Sequence, residues 1–77
     1  MNAILHIRKN VFHLKQREFA EVVGVRQSTV SRWERGESFP SLNEMAMIRA
    51  AARESGRRWQ DRWFFDPPTP KREGEAA

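Results

Sequence analysis

Apolar residues recur along this chain at the three- and four-residue spacing that lines one face of a helix. Ile4, Ile7 and Val11, supported by Leu5 and Phe12, make the inward stripe of a first helix over Asn2–Asn10, with Asn2 as its cap. Phe19, Ala20 and Val23 mark a second helix, and Val30 and Trp33, with Val25 one turn earlier, mark a third. Ser41 and Glu44 are spaced as a capping box that opens a fourth helix. Leu42, Met45, Ile48 and Ala52 form its inner stripe, Ala46, Ala50 and Ala51 allow close packing, and Gly56 follows as a stop. In the segment RRWQDRWFF, residues 57–65, Trp59 and Trp63 stand four apart and face one way on a short fifth helix. These aromatics, with Phe64 and Phe65, either complete a small core or form an exposed patch joining two subunits. Asp66-Pro-Pro-Thr-Pro then breaks any helix. The pattern predicts a folded domain over 1–66 and a Pro-rich, polar, disordered tail over 67–77.

The second and third helices are separated by a break at Gly24, which takes a positive φ without steric cost. Ala20 is small where the two would cross, and Val30 fills the angle from the other side. Two short helices joined by a tight glycine turn form a helix-turn-helix unit, whose second helix enters the DNA major groove. The remaining face of that helix, with Gln27, Ser28, Ser31, Arg32 and Arg35, is cationic and has no apolar member. Glutamine can bond adenine through two atoms, and arginine can do the same to guanine.

Gln16–Arg35, continuing through SRWERG (Ser31–Gly36) and Pro40-Ser41-Leu42, resembles the phage-repressor (Cro/repressor, Xre-like) family over roughly residues 4 to 53. The resemblance implies an all-α, lambda-repressor-like bundle of four helices containing the helix-turn-helix, plus the short aromatic helix. It implies sequence-specific binding of double-stranded DNA by a prokaryotic or phage transcriptional regulator, a repressor, as a homodimer on a two-fold operator. Gln16 would grip a phosphate; Gln27, Ser28, Thr29 and Arg32 would read bases. Lys15, Arg26, Ser31, Arg35 and Ser38 are the further phosphate-contacting candidates, while Ala20, Gly24, Val30 and Trp33 shape the unit. In the family a first-helix arginine pairs with the glutamate ending the third helix. Here Arg8 and Glu34 are the counterparts, although the loop Phe12–Lys15 is one residue longer than the pattern, and a solvated Arg8 is the alternative. A second departure is Lys15 and Arg26, which stand where the family places helix-capping hydroxyls.

Charge agrees with an anionic partner: the net charge is +4, and residues 1–40 carry seven Lys/Arg against four Asp/Glu, whereas 41–77 carry seven against six. There is no cysteine to staple or ligate, and His6 and His13 read as surface or helix-end residues. No catalytic grouping, cofactor motif, metal site or small-molecule site is evident. The sequence carries no secretory signal and no membrane-length apolar run, so a cytoplasmic, soluble protein with no membrane partner is expected. The rival function is a protein-interaction adaptor, such as an antitoxin or anti-repressor, that uses the fold without reading DNA. A cationic third helix argues against it, because protein interfaces centre on buried aromatics.

Overall fold

The computed structural model describes residues 2–65, which are all-helical. The tail expected over 67–77, with Met1 and Asp66, lies outside the described residues. Helix α1 (Ala3–His6) opens on Asn2, whose side-chain oxygen accepts from Ile4 and Leu5 N–H at 2.8 and 3.2 Å. It then runs into a wider π-helical stretch, Ile7–Phe12, closed by His13 in the left-handed region at φ 57°. The first helical segment is therefore longer than the expected Asn2–Asn10. Its face also changes, because in a wide turn residue i+5 rather than i+4 bonds back to residue i. Ile4, Ile7 and Phe12 are buried, whereas Val11, expected on the stripe, is only partly so.

Helices α2 (Gln16–Val23) and α3 (Gln27–Glu34) pack most closely on each other; α1 lies on α3, and α4 (Leu42–Glu54) lies on α2. The core is one cluster, with Ile4, Ile7 and Phe12 meeting Phe19, Val30, Trp33 and Ile48. Ser41 and Glu44 form both bonds of the capping box at 3.1 and 2.9 Å. Leu42 departs from its expected place on the inner stripe of α4, being 81% exposed. At about 100° per residue, the six steps from Ile48 back to Leu42 end about 120° off the buried face. Met45 sits between them, partly buried, while Ala51 and Ala52 face the core. Ala46 and Ala50 are exposed, so close packing falls to Ala51 and Ala52 alone.

The short aromatic helix is a single 3-10 turn, Asp61–Phe64; Trp59 lies before it in non-helical Arg57–Gln60 and so does not share it with Trp63. Phe64 enters the core, Trp59 and Trp63 pack partly buried against it, and Phe65 is 73% exposed. Arg57 ties the segment down by donating to Phe12 O at 2.9 Å, with its guanidinium over the Phe12 ring.

Candidate nucleic-acid interface

The α2–α3 unit is built from its buried side. Phe19, Ala20 and Val23 from α2 meet Val30 and Trp33 from α3, each 2% exposed or less. Between the helices Gly24 takes φ 82°, and the N–H groups of Gly24 and Val25 both reach Ala20 O at 2.9 Å. A side chain at Gly24 would be strained by that φ and would also meet Met47 Cε of α4 at 3.1 Å from its Cβ. The turn is thus held from both sides, which fixes the direction in which α3 presents its outer face.

On that face Gln27, Ser28 and Arg32 are exposed, with Thr29 and Ser31 half-buried beside them. Helix α3 begins at Arg26 with no side-chain cap and no acidic residue in its first turn. Its leading N–H groups and nearby cations therefore all favour negative charge in front of them. Lys15 likewise precedes α2 without capping it, but Glu18 supplies half a capping box by accepting from the Lys15 N–H at 2.9 Å. Arg26 has no such help.

A chain of polar groups, buried at Arg8 and Glu34 and open to solvent at Gln27, joins the π-helical stretch, α3 and α2. Arg8, 9% exposed, donates through Nε and Nη2 to the two carboxylate oxygens of Glu34, at 2.5 and 3.1 Å. The solvated alternative for Arg8 does not hold. The wide turn places its guanidinium inward, where Nη1 also donates to Leu14 O at 2.9 Å. Glu34 Oε1 accepts a further bond from Gln16 Nε2 at 2.9 Å, and Gln27 Nε2 approaches Gln16 Oε1 at 3.5 Å. Gln16 and Gln27, eleven residues apart in sequence, are thereby neighbours at the mouth of the unit. The Gln16 amide has a second N–H still to direct outward.

Other candidates are not grouped so closely. Arg35 is engaged within the chain: it donates to both Glu37 oxygens, at 2.8 and 3.2 Å, and to Ser31 Oγ. The bond from Arg35 is the main reason the Glu37 carboxyl titrates below its usual range, and in return it raises the arginine. Ser38 lies exposed in the loop after α3. Sequence reasoning missed the Gln16–Glu34 bond and the Asn2 side chain, which donates to Trp33 O at 3.0 Å and ties the start of α1 to the end of α3. It also misplaced His6. This residue is buried, with Nδ1 paired to the Asn10 amide at 3.0 Å and its ring edge-on to Trp63. Burial lowers its pKa, and spacing alone gave no signal because His6 shares its helix face with Asn10, a polar residue.

A family model described as helix-turn-helix matches residues 7–55, well over half of the chain. The chain belongs to this Cro/repressor-type, Xre-like helix-turn-helix family. Its members are DNA-binding regulators, and the matched span takes in α2, α3 and α4 entire. No curated protein and no solved structure matches the chain. Among the described residues, no helix is long and apolar enough to cross a membrane.

Proposed function

We propose that this helix-turn-helix protein binds double-stranded DNA sequence-specifically as a transcriptional repressor, with α3 in the major groove. The observation that carries the reading is the outer face of α3. Gln27, Ser28 and Arg32 are exposed on a helix whose other side is pinned by buried Val30 and Trp33. Such a face pays for no desolvation until it meets base edges, and its residue types are those that bond adenine and guanine through two atoms. Gln16, Lys15 and Arg26 at the two helix starts, with Ser31 and Ser38, are assigned to phosphates, which set register without reading sequence. Arg35 joins them only after exchanging its Glu37 partner for a phosphate. One such unit makes few phosphate contacts, so the functional species is a homodimer on a two-fold site with half-sites about 34 Å apart.

The test is selection of bound sites from a random duplex library, followed by salt titration on the selected and on random duplexes. A defined site, bound far more tightly than random DNA, is the expected result. Arg32→Ala should then lose about 1–3 kcal/mol on the selected site, relax preference at one base pair, and change random binding less. Equal losses on both duplexes would assign Arg32 to phosphate. No enrichment and no salt-dependent binding would overturn the reading in favour of a protein-interaction adaptor.

A further inference from the structure

A negative charge stands beside the cationic outer face of α3. Between Arg26 and Ser41 the chain has two acidic residues, Glu34 and Glu37. Glu34 is turned inward onto Arg8, which leaves Glu37 on the surface with Arg26, Arg32 and Arg35. Its place there is set by the backbone. Gly36 takes φ 78°, and the Glu37 N–H turns back to donate to Arg32 O at 2.9 Å. Such a closing turn holds the residue after the glycine against the last turn of the helix.

The Glu37 carboxylate accepts from Arg35 Nε at 2.8 Å and from Nη2 at 3.2 Å, and the third nitrogen, Nη1, donates to Ser31 Oγ. All three nitrogens of a candidate phosphate-binding arginine are therefore engaged within the chain. The bond from Arg35 holds the Glu37 carboxyl below its usual range, and the charge of Arg32 adds to this through space. The carboxylate thus bears on a base-reading arginine as well as on a phosphate-contacting one. The paired side chains are 55% and 53% exposed, and a pair so open to water contributes little to folding. Its geometry matters for what can replace it. Arginine grips a phosphate through the same two-oxygen fork that it uses for a carboxylate. Glu37 stands in for a DNA phosphate on Arg35 and Ser31.

We propose that Glu37 is a specificity determinant of the DNA face: it holds Arg35 out of random contacts and yields it to a phosphate on a matched site. The proposal rests on the DNA-binding reading above. Random binding is driven by cations that displace counterions from the duplex. An arginine already neutralised by a carboxylate displaces none, and the carboxylate itself is repelled by the DNA backbone. On a matched site, base bonds from Gln27 and Arg32 hold α3 in one register. One phosphate is then fixed opposite Arg35 and exchanges with Glu37. The carboxylate therefore lowers random affinity more than specific affinity.

The test is the affinity for a selected and for a random duplex, measured by fluorescence anisotropy between about 50 and about 200 mM salt. Glu37→Gln keeps the side-chain shape and the backbone turn, so its melting curve should match the wild type's. On random duplex it should steepen the slope of log K against log salt by up to ~0.9, the value of one phosphate contact. Over a fourfold change in salt, that slope amounts to about threefold in affinity. On the selected duplex the slope should change little, since Arg35 already meets a phosphate there. The ratio of selected to random affinity should then fall about threefold at the low-salt end. Glu54→Gln, at the last residue of α4, removes the same charge without touching Arg35 and should leave the ratio unchanged. In an Arg35→Ala background, Glu37→Gln should lose its effect on the ratio. If the wild type selects a site but Glu37→Gln keeps its ratio and slopes, this proposal is overturned and the DNA-binding reading stands. An equal fall in the ratio with Glu54→Gln, or one that persists without Arg35, overturns it as well. A wild type that binds no duplex removes the reading on which both rest.

Discussion

His6 is a titratable ring held where water scarcely reaches, with Asn10 on one nitrogen and the Trp63 edge beside it. Desolvation lowers its pKa from 6.5, so on acidification the unfolded chain takes up the proton before the folded one does. Its contribution to stability is therefore complete above about pH 6.5 and is lost as the pH falls below that value toward the folded pKa. Urea midpoints at pH 7.5 and pH 5.5 should show a loss that is reduced in His6→Gln; an unchanged pH response in that variant would assign the effect to carboxylates. Arg8 and Glu34 form a buried charged pair. Glu34→Ala would leave the Arg8 guanidinium without its carboxylate, and a loss of about 3–5 kcal/mol is expected in thermal or urea unfolding. Arg8→Met with Glu34→Leu should be less damaging than Glu34→Ala alone, because no unpaired charge then remains inside.

At the scale of elements, the two helix starts differ in a way that can be measured. Both Lys15 and Arg26 put a cation where the helix dipole is positive, and neither accepts a hydrogen bond from the helix. Glu18 partly compensates at α2, whereas α3 has no acidic residue in its first turn. Arg26→Ser should therefore stabilise the free protein by about 0.5–2 kcal/mol, and Lys15→Thr by less. If the arginine holds a phosphate, the slope of log K against log salt should fall by ~0.9 in the same variant. A gain in melting temperature with affinity and salt slope intact would show that Arg26 does not touch DNA. The π-helical end of α1 is another feature at this scale. Arg8 lies within it and still pairs with Glu34 of α3.

For the whole molecule, a chain of 77 residues has little core to spare, and the C-terminal segment closes it. Trp63 packs edge-on to both His6 and Trp59 while remaining partly exposed. Trp63→Ala should cost about 2–3 kcal/mol, below the 3–5 typical of a fully buried tryptophan. It should also return the His6 titration toward 6.5 by admitting water, which the ring proton shifts would report. A His6 titration left unchanged would mean that other groups shield the ring.

The helices α2, α3 and α4, the glycine turn between α2 and α3, and the capping box at Ser41 were legible because each rests on local rules. Apolar spacing, a positive-φ glycine and a hydroxyl three residues before a glutamate act within a few residues of themselves. The outer face of α3 was legible for the same reason: once Val30 and Trp33 are assigned inward, helical geometry assigns Gln27, Ser28 and Arg32 outward. Other features needed the neighbours. Periodicity gave Val11 to the core, but the wide turn gives that place to Phe12, whose ring packs edge-on to Phe19 of α2, a contact set by a residue outside the first helix. Leu42 satisfied a three-residue spacing that drifts around the helix, and only the position of α2 against α4 shows where the buried face stops. His6 and the Arg8–Glu34–Gln16 chain are buried by residues far away in sequence. Phe39 and Phe65 are likewise far apart in sequence, so the patch they form exists only in the folded chain.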